Sequence, residues 1–386
     1  MKIALIRQDY HKYGGAERSV YYLSRELAHR GHQVHIFAHT GKDELHKLNN
    51  SINSTNSIIF HHVPMLGGAP FVRTLSFALF CRRLLRKEDF DIIHSFDRTL
   101  YQDIYRAGDG CHREWLKRSL ATVSSPLARL AIRLNPLHLT ILFLERRIFK
   151  RCKKIIAIAR IGKEEIVEHY GINPRDIVVI YNGVDGEEFR PEDNRQFRIS
   201  VRKQFNLAAA DFVVLFVGSG FRRKGLSCLI KAVALLKEKE VKLLVVGKDR
   251  KKPYLHLVRR LGLDGKVIFA GGSRETHKFY AAADVFILPT LYEPFGNVCL
   301  EALSCGLPLI ISRSSGAAEI ISEGKEGFLL NNPENPEEMA RKIKMTFERE
   351  FRKKLSRNAC RLAGKFTLAG NAEETLKVYE EITRNP

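Results

Sequence analysis

Leu291-Tyr-Glu-Pro-Phe-Gly-Asn-Val-Cys-Leu-Glu-Ala-Leu-Ser-Cys-Gly-Leu-Pro-Leu-Ile-Ile, ending at Ile311, is the stretch from which the rest of the chain is read. Val298, Leu300, Ala302 and Leu303 supply the packed side of a short helix. Pro294 and Gly296 stand just ahead of it, where the first backbone N–H groups lack intrahelical partners. Such amides, at the positive end of a helix dipole, favour an anion, and a phosphate fits them. Gly306-Leu-Pro308 stops the helix, and Leu309-Ile-Ile311 reads as the next buried strand. Glu293 lies before the helix and Glu301 about two turns into it, so two carboxylates are expected to face one ligand at different depths. Either glutamate alone reads as a solvated residue. The pair, with its Pro/Phe/Gly entry, small-residue helix and Gly-Leu-Pro exit, reads as a ligand site.

Outward from this stretch the same rhythm repeats. Phe212–Val217, Lys242–Val246, Val267–Ala270 and Val285–Leu288 are apolar runs separated by helical patterns. Lys2–Arg7, Gln33–Ala38, the run from Asp91, a strand ending at Ala107, Ile155–Ala159 and Ile177–Ile180 do the same in the first half. This alternation predicts an α/β fold with parallel sheets. At 386 residues the chain is too long for one core, so two domains are expected, 1–185 and 186–366, with a closing helix over 367–386. The Gly- and polar-rich run from Asn182 to Asn194 is the expected hinge, and residues 41–56 an expected surface loop.

Composition narrows the function classes. Hydrophobic content of 45% and charged content of 28% describe a globular chain. The N-terminal apolar run, Ile3–Ile6, is too short for a signal peptide, and no run approaches the ~18 residues of a spanning helix. Seven cysteines, without a C-x-x-C pair, fit a reducing cytoplasm. The net charge of +21 predicts an anionic partner. Residues 70–155 hold eighteen Lys/Arg against eight Asp/Glu, and nucleic acid, a membrane surface or a phosphorylated acceptor would each answer that excess. Within this part, the Leu/Arg-rich 125–150 reads either as a core helix edge or as an interfacial segment, arginines toward anionic lipid and leucines toward acyl chains.

Three glycine-bearing turns follow strands. Gly218-Ser-Gly-Phe-Arg-Arg-Lys-Gly225 places Arg223 and Lys224 at a helix start, where cations are unfavourable unless an anion arrives. A diphosphate, held by a forked guanidinium and a point-charge ammonium, would satisfy them. Gly14-Gly15 permits close backbone approach, but no G-x-G-x-x-G is present, which argues against a dinucleotide site. Asp109, in Ala107-Gly-Asp-Gly110, is lifted at the carboxyl edge of a sheet. Asp89-Phe-Asp91 spells D-x-D but precedes a strand start and reads as a decoy.

The Glu293–Glu301 phrase, together with Gly218–Gly225 and Asn182-Gly-Val-Asp185, resembles the E-x7-E signature of the family-4 retaining glycosyltransferases. The resemblance implies the GT-B fold: two Rossmann-like domains facing across a cleft, with a C-terminal helix crossing back to the first. It implies that Glu293 contacts the sugar hydroxyls of a nucleotide-sugar donor and Glu301 the ribose hydroxyls. Arg223 and Lys224 would bind the pyrophosphate, backbone near Gly15, Phe295 and Gly296 would meet the donor, and Gly272 would lie by the nucleobase. The run from Phe96 to Cys111 is similar to the lipopolysaccharide-core glucosyltransferases of the family. That implies Asp109 at the reaction centre and Asp103 toward the acceptor.

The expectation is therefore a retaining hexosyltransferase, UDP-glucose to a heptose of the lipopolysaccharide inner core, needing no metal or other cofactor. Its partners would be the UDP-sugar and an anionic lipid-linked glycan, with the protein cytoplasmic or peripheral on the inner membrane's inner face. A different glycan or lipid-linked acceptor is the alternative within the enzymes. A basic nucleic-acid-binding protein is the alternative outside them, and it lacks aromatic stacking patches or a known motif.

Overall fold

Apolar runs bounded by turn residues become parallel strands in both halves of the chain. The computed structural model describes residues 1–11, 14–43, 58–121, 123–190, 194–237 and 240–384. The chain forms two units, Met1–Asn182 together with Leu368–Pro386, and Gly183–Thr367. The first carries β1 (Lys2–Ile6), β2 (Gln33–Ala38), β3 (Ile59–His62), β4 (Ile92–Ser95), β5 (Ile104–Ala107), β6 (Lys154–Ala157) and β7 (Ile177–Val179). The second carries β8 (Phe212–Val217), β9 (Val241–Val246), β10 (Val267–Gly271), β11 (Val285–Leu288), β12 (Leu309–Ser312) and β13 (Gly327–Leu330).

The sheet orders are β3-β2-β1-β4-β5-β6-β7 and β10-β9-β8-β11-β12-β13. Every pairing is parallel. In each sheet the chain first winds outward to one side and then starts again on the other. The reversal lies between β1 and β4 in one unit, and between β8 and β11 in the other. Such a switch point leaves a crevice at the carboxyl ends of the two strands, where open α/β sheets bind ligands. The α/β class with two Rossmann-like domains is what the sequence predicts.

β8 is buried at all six positions, as its uninterrupted Phe-Val-Val-Leu-Phe-Val requires of a strand covered on both faces. The change of unit comes after Asn182 rather than at 185/186. Asn182 Oδ1 accepts from the buried Arg106 Nη2 at 3.0 Å, inside the first unit. Val184 N instead donates to Phe366 O at 2.9 Å, inside the second. The final helix, Leu368–Arg384, lays Ala372, Leu376, Val378, Tyr379 and Ile382 into the same core as β1 and the Ala16–His29 helix. Tyr379 Oη meets His94 Nδ1 at 2.6 Å within that core. The Asp89-Phe-Asp91 motif is accounted for locally, since Asp91 Oδ2 accepts from Lys2 N at 2.7 Å. Of the expected loop 41–56, residues from 44 onward lie outside the described residues.

Candidate active site

In the second unit the switch point is lined by the turn after β8 and the loop after β11. Gly218 ends β8 with φ +136, and a Cβ there would stand 2.8 Å from the Lys224 side chain. The missing side chain is thus the space through which Lys224 passes. Lys224 is 7% exposed, and its Nζ lies 3.0 Å from Glu293 Oε2. Arg223 Nη1 reaches the same oxygen at 2.8 Å and the Tyr292 carbonyl at 2.7 Å. Leu291 N donates to Arg223 O at 2.8 Å, so the two loops are stitched through backbone as well. Two cations on one carboxylate leave a positive surplus. Burial alone would raise the Glu293 carboxyl, and Lys224 and then Arg223 overcome it, holding it below the ordinary carboxylate value.

Two helix N-termini belong to these loops, Leu226–Ala234 and Asn297–Ser304, with N-caps Gly225 and Gly296 that carry no side-chain cap. The dipole that makes cations unfavourable here is answered within the chain by Glu293.

Glu301 departs from its expected placement. The helix starts at Asn297, so Glu301 is one turn in, not two. Its carboxylate is 9% exposed and accepts from the fully buried Tyr280 Oη at 2.9 Å. The Tyr280–Glu301 contact is absent from the sequence reading because no spacing rule links the two residues. Phe295 is buried, and its carbonyl accepts from Ser315 Oγ (2.8 Å) and Ala317 N (3.0 Å). Gly272 is exposed and packs under Lys248, whose side chain a Cβ would meet at 2.5 Å.

The first unit's switch point is charged too. Arg7, following β1, sends Nη1 to Asp97 Oδ1 at 3.0 Å and Nη2 to Glu17 Oε1 at 2.6 Å. Beyond the end of β5, one strand further along the sheet than β4, Asp109 has a side chain 48% exposed, held by Arg98 Nη1 at 3.2 Å. Arg98 is fixed in turn by Glu145 Oε1, 2.9 Å from Nη2, and Glu145 Oε2 accepts from Tyr170 Oη at 2.7 Å. Sequence reading singled out Asp109 but missed Arg7, Arg98 and Glu145. Gly15 is exposed, and a Cβ there would meet open space, so side-chain size sets no limit at that position.

Asp103 requires a correction. It precedes β5, at the amino edge of the sheet, whereas Asp109 follows β5 at the carboxyl edge. Its Oδ2 accepts from Ile93 N at 2.9 Å, and its N donates back to Ile93 O at 2.9 Å. It clips β5 to β4, about four strand residues, roughly 13 Å, from the Asp109 edge.

Among the described residues, one group could hold a metal ion: His35, His61 and Glu88, with donor atoms all within 4.8 Å. It closes on itself, because His35 Nδ1 and His61 Nε2 share a hydrogen bond at 2.7 Å and Lys2 Nζ lies 2.9 Å from Glu88.

These two charged switch points sit in chain segments that known families describe. Residues 13–188 match the model "Glycosyltransferase Family 4", and residues 197–361 match "Glycosyl transferases group 1". The chain belongs to these glycosyltransferases. It is 25% identical over 344 residues to the lipopolysaccharide glucosyltransferase WaaG of Escherichia coli, covering 88% of this chain and 87% of WaaG. It is 31% identical over 238 residues, 60% of each chain, to an uncharacterized glycosyltransferase of Methanocaldococcus jannaschii. A crystal structure of WaaG has the same fold, with TM-score 0.81 at 24% identity over 98% of this chain and 99% of that one. Anabaena HepE in complex with UDP-glucose also shares it, with TM-score 0.76 at 20% identity over 99% and 100% of the chains.

This glycosyltransferase has no single helix, among the described residues, long and apolar enough to cross a membrane. The bent pair Pro126–Arg133 and Pro136–Phe149, meeting at 51°, passes that test only together. Leu127, Leu130, Leu134, Leu139 and Phe143 on this pair are exposed, and the first helix has no buried residue. The core-edge reading holds for the second helix, which buries Leu144, Ile148 and Phe149.

Proposed function

We propose that this glycosyltransferase moves glucose from UDP-glucose to a heptose of the lipopolysaccharide inner core, with retention at the anomeric carbon. The observation that carries the reading is the convergence of Arg223 and Lys224 on Glu293 beside two helix N-termini capped by glycine. A diphosphate brought to that point meets a ready-made positive field. Support for the nucleotide comes from the UDP-glucose complex of HepE, and for the acceptor from the named activity of WaaG.

In the mechanism, the C1–O bond to the diphosphate breaks as Arg223 and Lys224 stabilise the charge that develops on the leaving oxygens. The acceptor hydroxyl forms the new C1–O bond from the same face, and its proton passes to the departing phosphate. Glu293 accepts from hexose hydroxyls while it holds the two cations in place. Glu301, oriented by Tyr280, accepts from ribose hydroxyls. Backbone near Gly15, Phe295 and Gly296 meets the donor phosphates, and Gly272 borders the base. Asp109 serves the acceptor from the first unit. The two cations supply what a divalent metal would otherwise give, so no cofactor enters. The acceptor's lipid lies in a membrane that the basic, leucine-bearing 126–133 helix touches from the cytoplasmic side.

The test is calorimetric titration with UDP, UDP-glucose and UDP-galactose, with Lys224→Ala and Glu301→Ala alongside, followed by turnover with and without core acceptor. Binding of UDP-glucose that both substitutions weaken, and turnover that depends on acceptor, is the expected result. Absence of heat for every UDP-sugar, or equal turnover without acceptor, overturns the reading.

A further inference from the structure

Beside Asp109 lies a group of rings that neither the mechanism nor the core uses. His112 opens the His112–Ala121 helix, three residues after Asp109, and its backbone N donates to Glu145 Oε1 at 2.9 Å. Glu145 is the same carboxylate that fixes Arg98, and Arg98 fixes Asp109. One buried acid therefore sets the positions of both Asp109 and His112. Trp115, a turn along the helix, stacks on His112 with ring centroids 5.2 Å apart and planes 12° from parallel. His138, from the Pro136–Phe149 helix, closes the group: its Nδ1 is 3.1 Å from His112 Nε2 and its ring 5.4 Å from the indole. All three side chains are half-buried.

His112 and Trp115 are near parallel, and His138 is tilted 39° and 48° to them. Burial, then Arg98 and then His138 push His112 down to about 3. Its ring stays neutral over any working pH, and the pair His112/His138 shares a single hydrogen-bonding proton. Stacked rings half open to solvent offer an apolar face to a ligand that has a matching one. On one side of the group is an exposed acid able to accept from a hydroxyl. The helix that carries His138 also exposes Leu139 and Phe143.

We infer that His112, Trp115 and His138 form a platform for a pyranose ring of the acceptor, its C–H face on the aromatic rings and a hydroxyl directed to Asp109. A pyranose has just this two-sidedness, apolar C–H groups on a face and hydroxyls around the rim. The inference rests on the proposed transferase reading and adds to it the contact that would recognise the acceptor.

Trp115 is the only tryptophan in the chain, so intrinsic indole emission reports this platform alone. The full chain would be titrated with methyl heptoside and methyl glucoside, and separately with phosphatidylglycerol vesicles free of glycan. A saturable emission change with a methyl glycoside, in the absence of lipid, is expected. Trp115→Ala should raise acceptor KM tenfold or more, with UDP-glucose affinity unchanged within twofold. Trp115→Phe, which keeps a ring, should stay within threefold of the parent, and His138→Ala should fall between. An emission change with vesicles and none with either glycoside overturns the platform in favour of a membrane anchor. Unaltered emission with glycosides and unaltered acceptor KM in Trp115→Ala overturn it outright. Failure of the parent protein to bind any UDP-sugar would sink the transferase reading while the glycoside titration still decides the platform.

Discussion

At one topological position the two units carry opposite charge arrangements. Where the strand order reverses in the first unit, one arginine, Arg7, lies between two carboxylates, Asp97 and Glu17. Where it reverses in the second, one carboxylate, Glu293, lies between two cations, Arg223 and Lys224. The folds share a sheet order, so architecture alone does not assign the roles. The sign of the leftover charge differs: Glu293 with its two cations is net positive, and Arg7 with its two carboxylates is net negative. The first unit's surface is strongly basic, but its carboxyl edge is not, and total charge conceals the distinction.

The largest expected effect strikes the acid-rich side. Arg98→Met leaves Glu145, which is fully buried, without its cation. The loss should be about 3–5 kcal/mol in denaturant unfolding, as for a broken buried pair. A loss under about 1 kcal/mol would mean that the Arg98–Glu145 pair contributes little to the fold and that Tyr170 and the His112 amide hold Glu145 without it.

Next comes Lys224→Ala, which cancels the surplus on the other side. Turnover should fall about 10²–10³-fold, the scale for removing one group that stabilises developing charge. UDP affinity measured by calorimetry should fall with it. Unchanged UDP affinity would break the link between leftover charge and diphosphate.

Glu293→Gln moves the charge the other way. We expect about a hundredfold loss of transfer with UDP affinity retained or improved, because the cations are freed as the sugar contact is lost. The ionised knot also stabilises the fold. Its folded-state pKa is lowered, so that contribution is present above the ordinary carboxylate pKa and is lost as pH falls through the lowered value. The melting temperatures of the parent and Glu293→Gln should therefore differ at neutral pH and converge in acid. A gap that persists at the lowest pH would assign the effect to packing. The smallest change is expected from Asp103→Asn: at most about 1 kcal/mol of stability for one altered hydrogen bond, and acceptor kinetics unaltered.

The legible parts of the chain were those written in short-range pattern. β8 and β11 were read to the residue, because Phe-Val-Val-Leu-Phe-Val and Val-Phe-Ile-Leu are continuous apolar runs between turn residues. β3 was not, since Ile59-Phe-His-His is half histidine, nor was β13, a four-residue run opening on glycine. Arg223, Lys224 and Glu293 were singled out for their residue types and turns, but that they share one oxygen atom depends on loops sixty-nine and seventy positions apart. Arg98 and Glu145 were invisible for the same reason. Asp103 lies at the opposite sheet edge from Asp109, because standing before or after a strand decides which edge of a sheet a side chain serves.

The closing helix has a consequence for how the protein is made. Its Tyr379 and Ile382 complete a core whose other members begin at Ile3. During synthesis the second unit has all of its residues once Thr367 has emerged, whereas the first still lacks the cover for its sheet. The usual order, N-terminal domain first, is therefore reversed for final consolidation. The half that leaves the ribosome earliest is the last to become native.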